Sequence, residues 1–181
     1  MDIFKERRSI RKFKNQKIAL DDLKYIADCG RLAPSGANTQ PLKFYILTKD
    51  TKSIFECTKW AGAIDWNPTF EESPDAYIAI LVDTDIKSNC DIDVGIAGTA
   101  MTYAAESIGI SSCWLGAIDR EKLTQILNLP ENLKLSHLIG FGYADQRSVE
   151  VAFLDSTKYK MDENGVIYVP KRSFEEVVTI K

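Results

Sequence analysis

The chain has 181 residues, 45% of them apolar, and its 23 basic and 26 acidic side chains leave a net charge of −3. That is enough chain for one domain with a substantial core, and the slightly acidic balance offers no general attraction to nucleic acid or to an anionic membrane. Cys29, Cys57, Cys90 and Cys113 stand far apart, with no CxxC pair and no histidine cluster, which indicates neither a zinc site nor a disulfide framework. The opening MDIFKERRSIRKF is too charged for a secretion signal. No run approaches the roughly 18 apolar residues of a membrane span, so a reduced, cytoplasmic setting is expected.

Asp2 is placed to cap a short helix whose apolar face is Ile3 and Phe4, leaving the arginines at its far end. Leu20, Leu23, Ile26 and Ala27 recur at helical spacing, and Gly30 and Pro34 are expected to close that helix. The segment Pro34 to Pro41 is turn chemistry, and the side-chain amides of Asn38 and Gln40 each donate and accept at once. Lys43 to Thr48 is β-prone, and Ile54, Phe55 and Thr58 suggest a helix after Asp50. Tyr77 to Val82 is apolar without alternation, which predicts a strand covered on both faces.

The helix expected from Asp91 to Ile108 is rich in small side chains. Glycine costs roughly 1 kcal/mol against alanine in a helix, so Gly95 and Gly98 need a packing reason. Close approach of another backbone or of a flat ligand would supply one; an ordinary buried helix with small packing residues is the alternative. Ile110 to Trp114 reads as a strand ending at Leu115 and Gly116. Asp119 should cap a helix carrying Leu123, Ile126 and Leu127, which Pro130 terminates. Leu135 to Tyr143 is the last strong strand, with Gly140 and Gly142 spaced as if something packs against them. After Asp145 the chain turns polar and irregular, with an Asn164-Gly165 turn leading into a strand-like Val166 to Val169. This tail has too few apolar residues to be a domain, so it must lie on something else.

Arg7, Arg8, Ser9 and Arg11 offer forked guanidinium donors and a hydroxyl, groups suited to a compact dianion such as a phosphate. Lys171 and Arg172 form a second basic cluster near the other end. Taken alone, the first cluster is also what a solvated helix end looks like. A protein nucleophile apparatus is not visible: the single histidine, His137, falls mid-strand, where a structural role is expected, and the carboxylates show no paired spacing. An enzyme without its own reactive groups usually borrows them, and a phosphorylated, ring-containing cofactor suits both the arginines and the amide-bearing loop.

In order, RRSIRKF, PSGANTQPLKF, CWLGAIDR and VPKR run from about Phe4 to Val178, and this series resembles the nitroreductase family of FMN-dependent oxidoreductases. The resemblance implies one α+β domain over residues 1–181, with a central mixed or antiparallel sheet flanked by helices. It also implies an intertwined homodimer, with two FMN sites at the interface and the segment from about 146 to 181 wrapping around the partner. The implied activity is two-electron transfer from NADH or NADPH through FMN to a small-molecule acceptor, a nitroaromatic or quinone, in a ping-pong cycle. No dinucleotide fingerprint selects between the two donors, and neither a metal, nucleic acid nor membrane is implied.

By the same resemblance, Arg7, Arg8, Ser9 and Arg11 match the segment holding the FMN phosphate and ribityl chain, and Lys171 and Arg172 the basic pair closing on that phosphate. Pro34, Ser35, Gly36 and Asn38 match the loop that reaches the flavin from the second subunit, with Gln40 at a recurring position there. Cys113, Trp114, Leu115 and Gly116 match the backbone beside the ring, with an N–H of Leu115 or Gly116 as candidate donor to flavin N5. Catalytic side chains are not implied. Two departures bear on the substrate. Leu115 stands where many larger members carry an acidic residue, and the region from Cys57 to Ser73, with Trp60, Trp66 and Phe70 as candidate lid aromatics, is shorter than their substrate-covering insert. Dehalogenation, enone reduction, flavin fragmentation and non-catalytic FMN storage are therefore the alternatives.

Overall fold

The computed structural model describes residues 2–60, 62 and 64–181. In chain order it comprises α1 (Ile3–Glu6), α2 (Leu20–Leu32), β1 (Leu42–Leu47), α3 (Thr51–Phe55), β2 (Ala76–Asp83), α4 (Asp91–Ser107) and β3 (Ser111–Leu115). Then come α5 (Arg120–Ile126), β4 (Leu133–Gly142), β5 (Ser148–Ala152), β6 (Lys160–Met161), β7 (Ile167–Lys171) and α6 (Phe174–Val177). Among the described residues, no helix is long and apolar enough to cross a membrane.

The main sheet has the order β1-β2-β4-β3, with each neighbouring pair antiparallel. Every residue of β2 is buried, and the reason lies in the two faces of a pleated strand. Tyr77, Ala79 and Leu81 point into one core with Ile54 of α3, Leu123 of α5 and Leu115 of β3. Ala76, Ile78, Ile80 and Val82 point into the other, with Leu23 and Ile26 of α2 and Met101 of α4. Helices on both faces thus account for the unbroken apolar run.

Several local expectations are corrected. Gly30 does not cap α2: it lies inside the helix, where a Cβ would stand 2.8 Å from Met101 Cγ, so its missing side chain lets α2 and α4 approach. Asp2 gives α1 no side-chain cap, and Phe4 stays 70% exposed beside Tyr103. Asp119 does cap α5, its side chain accepting the Lys122 backbone N–H at 3.0 Å. Gly140 and Gly142 are packed as expected, by Pro74 and Phe13.

The largest correction concerns the tail. Its residues form a second sheet of order β5-β7-β6, with β5 parallel and β6 antiparallel to β7. Asp162 organises the Asn164-Gly165 turn, its Oδ1 accepting the N–H groups of Asn164 and Val166 at 2.9 Å each, while Gly165 takes φ +77°. Main-chain pairing needs no apolar pattern, and that is why β5 was hidden in a polar stretch.

Candidate functional site

The arginine segment is positioned by β3. Ser9 forms a parallel bridge with Ser112, and the Ile10 N–H donates to the Ser112 carbonyl at 3.0 Å. Ile10 and Phe13 are buried, and this anchors the strap. Arg11 is thereby brought beside Cys113 and the end of the strand. Its N–H donates to Gln146 Oε1 at 3.1 Å, and its guanidinium lies 4.8 Å from the centre of the Tyr159 ring.

Beyond it opens a cavity of about 430 Å³. Arg11, Lys59, Trp60 and Tyr159 line it together with the run from Cys113 to Ala117. Two basic groups and no acidic one face this space, so it suits an electron-rich or anionic group. The strand behind it is firmly held. Trp114 presses into α4 at Gly98, where a Cβ would fall 1.9 Å from its ring, and its other neighbour is the His137 ring at 5.3 Å. Gly98 therefore has its packing reason inside the chain, whereas Gly95 faces open space. Arg120 donates to the carbonyls of Gly116 and Ser136 at 3.2 and 2.8 Å, fixing the turn after β3.

The remaining arginines lie along the same edge. Arg7 sits over the Tyr103 ring at 5.5 Å. Arg8 donates to the Arg7 carbonyl at 2.8 Å and to Glu150 Oε2 at 3.0 Å, and its Nε is buried with no hydrogen-bond partner. Glu150 belongs to β5 and pairs with Val169, two residues before Lys171. The two ends of the chain thus meet on the small sheet. Lys171 and Arg172 are exposed at its rim, with Arg172 5.7 Å from the Phe153 ring.

The loop from Pro34 to Gln40 is elsewhere. It lines a different cavity, of about 590 Å³, between α2 and β1, and that cavity shares no residue with the Arg11 cavity. Ala37, Asn38 and Gln40 all adopt positive φ, between 50° and 56°. Such backbone costs about 1–3 kcal/mol per residue and clusters at functional sites. Of the three candidate lid aromatics, Trp60 reaches the Arg11 cavity, its indole donating to Thr58 Oγ1 at 2.8 Å. Phe70 packs on Phe55 at 5.9 Å, and Trp66 is half-buried. Ala61 and Ala63 of that segment lie outside the described residues.

Proton chemistry from side chains is weakly provided for. Burial pushes the Cys113 thiol up to about 11, against the opposing pull of Arg11, so it stays protonated near neutrality. Burial, then the charge of Arg120, holds His137 below its ordinary value. Its Nδ1 lies 2.9 Å from Ser136 Oγ, which fits a structural role. Among the described residues there is no cluster of potential metal ligands. Lys59 and Tyr159 were missed from the sequence, since neither belongs to a pattern; the folding of the tail alone brings Tyr159 to Arg11.

Comparison with known proteins fits this geometry. A sequence profile described as the nitroreductase family matches residues 4–79 and 74–143, leaving the tail outside the match. An Archaeoglobus fulgidus protein, provisionally named an NADH dehydrogenase/NAD(P)H nitroreductase, is 32% identical over 147 residues, 76% of this chain and 80% of its own length. An iodotyrosine deiodinase of Thermotoga neapolitana is 26% identical, covering 80% of this chain and 88% of its own. Among solved structures, a nitroreductase family protein from Streptococcus pneumoniae superposes with a TM-score of 0.76 at 17% identity, over 99% of this chain and 98% of the other. A Desulfovibrio desulfuricans protein, provisionally assigned as a nitroreductase and solved in complex with FMN, gives 0.74 at 22% identity over 99% and 94%. The expected α+β fold with an antiparallel sheet flanked by helices is borne out.

Proposed function

The chain belongs to the nitroreductase family, and within it we propose an FMN-dependent oxidoreductase that transfers two electrons from NADH or NADPH to a small acceptor, with nitroaromatics and quinones as candidates. The observation that carries this reading is the single cavity where Arg11 meets the backbone from Cys113 to Gly116. Bound FMN would supply two-electron redox chemistry that no side chain here offers.

The residues fit such a cofactor. Arg8 keeps a buried Nε–H with no hydrogen-bond partner, a donor left over after its contacts to the Arg7 carbonyl and Glu150, and an anionic oxygen would satisfy it. In this reading Arg7, Arg8 and Ser9 hold the phosphate and ribityl chain, with Lys171 and Arg172 closing from the rim of the small sheet. Arg11, expected with them at the phosphate and ribityl chain, lines the cavity of Cys113 to Ala117 and would face the ring there, and an N–H of Leu115 or Gly116 would donate to its reactive nitrogen.

The site is completed by a second copy of the chain, whose Pro34–Gln40 loop reaches the cavity and whose tail, from about residue 146, wraps on its neighbour. The separation of loop and Arg11 cavity within one protomer supports this. So does the outer face of α4, where Ile92 is 78% exposed, Ile96 36%, and Gly95 is open. A cytoplasmic setting accords with four free cysteines. The deiodinase relative favours a second reading, reductive dehalogenation by the same bound cofactor.

The test is direct. Purified protein should be yellow, and chromatography of the heat-released chromophore should give FMN rather than FAD. NAD(P)H oxidation with an added quinone should give parallel double-reciprocal lines. Recovery of FAD, or a colourless protein that FMN cannot colour, sinks the proposal; turnover only with halogenated aromatics selects the second reading.

A further inference from the structure

The cofactor loop is held by a contact that none of its own motifs announces. Asp93, the third residue of α4, is 4% exposed, and its Oδ1 accepts the Gly36 N–H at 2.9 Å. Among the described residues this is the one hydrogen bond from residues 34–40 to the rest of the fold. The others close within the loop: the backbone N–H groups of Asn38 and Thr39 to the Ser35 and Gly36 carbonyls, Gln40 N–H to Ser35 Oγ, Thr39 Oγ1 to the Gly36 carbonyl, and Gln40 Nε2 to the Asn38 carbonyl. Lys87 Nζ lies 3.7 Å from Asp93 Oδ2, an oxygen with no hydrogen-bond partner of its own. The same ammonium stands 3.2 Å from where a Cβ on Gly36 would project, so the loop backbone is seated between Lys87 and Asp93.

A buried acidic side chain is costly unless it is paired and hydrogen-bonded, and Asp93 has the Gly36 N–H as its one hydrogen-bond donor, so the two hold each other in place. Here the contact holds a loop with three non-glycine residues at positive φ, backbone that persists only when its surroundings over-determine it. Asp93 and Ser35 both line the two cavities on either side, of about 590 and 360 Å³, so the contact also fixes the partition between them. We infer that Asp93, seconded by Lys87, is a positioning residue that keeps the Pro34–Gln40 loop in the shape that meets the cofactor. The inference rests on the reading of this loop as part of the FMN site.

Two readouts test it on the flavin-loaded protein: hydrogen exchange at the Gly36 amide, and the rate of FMN release on dilution, followed by flavin fluorescence. Asp93→Ala should unprotect Gly36 and speed FMN release by about 10- to 100-fold, the weight of one charge-assisted hydrogen bond. Asp93→Asn keeps a carbonyl acceptor for the Gly36 N–H and should recover most of both. Should Asp93→Ala not fold, Lys87→Met, a change at a half-exposed side chain, should speed Gly36 exchange by roughly two- to fivefold. Unchanged Gly36 exchange in Asp93→Ala or Lys87→Met overturns the inference, as does fast release in Asp93→Asn with Gly36 still protected. If instead Asn38→Ala and Arg11→Ala both leave FMN release untouched, the site reading fails, and Gly36 exchange still decides what Asp93 does.

Discussion

Gly98→Ala measures how tightly the strand beside the candidate cofactor cavity is clamped to α4. A Cβ at residue 98 would fall 1.9 Å from Trp114 Cζ3 and 2.1 Å from Cη2, where ordinary contact begins near 3.4 Å. The indole must therefore retreat by about 1.5 Å, or the helix must lift by as much. Retreat is opposed by His137 on the other side, with ring centroids 5.3 Å apart. Overpacking costs about 1–3 kcal/mol, an overlap this deep belongs at the upper end, about 2–3 kcal/mol, and the better helix propensity of alanine offsets roughly 1 kcal/mol. A net loss of about 1–2 kcal/mol is expected in urea unfolding followed by far-UV circular dichroism. Trp114→Phe removes most of the offending ring, so the double variant should recover part of the loss, with a coupling of at least about 1 kcal/mol. FMN affinity should fall in Gly98→Ala as well, because Trp114 directly precedes Leu115 and Gly116. Strict additivity, or a Gly98→Ala protein as stable as the parent, would refute the argument.

Arg11→Ala should weaken FMN binding by about 10- to 100-fold, while Cys113→Ala, which keeps the backbone, should leave it nearly unchanged; titration of the apoprotein with FMN decides. Folding stability should decline from pH 9 towards 11: the Cys113 thiol rises from 9.0 to about 11 on folding, so above pH 9 the unfolded chain sheds a proton that the folded one keeps. Cys113→Ala should flatten that decline, measured by urea midpoints across pH. His137 should titrate below its ordinary 6.5 by NMR, and its contribution, present above that value, should be lost as pH falls through the lowered pKa. Arg120→Ala should move the titration upward. Ile96→Glu places a charge on the exposed apolar face of α4 and should turn a dimer into species near the chain mass of 20.3 kDa by light scattering. A parent protein already monomeric and flavin-loaded would contradict the shared-site reading.

The strands and helices of the core were legible because burial writes itself into the pattern. The unbroken apolar run of β2 requires cover on both faces, and the Asp119 cap and the α5 periodicity are local in the same way. The basic clusters and the amide-bearing loop were legible as chemistry, because phosphate and heterocycle recognition calls for particular side chains. What the sequence could not say is which of these groups share a space. Arg11 faces the run from Cys113 to Gly116 only because Ser9 and Ile10 pair along Ser112, and main-chain pairing leaves no mark on side-chain identity. Tyr159 joins them only once β5, β6 and β7 have formed, from residues whose composition reads as loop. Asp93 looks like an ordinary acidic residue in a first helical turn until tertiary packing buries it against Gly36. Local propensity and periodicity are properties of a short window of sequence, and by itself the sequence therefore determined the core elements and the kind of chemistry available. Contacts between residues 57 or 148 positions apart depend on how whole elements dock, and the tertiary structure alone decided them.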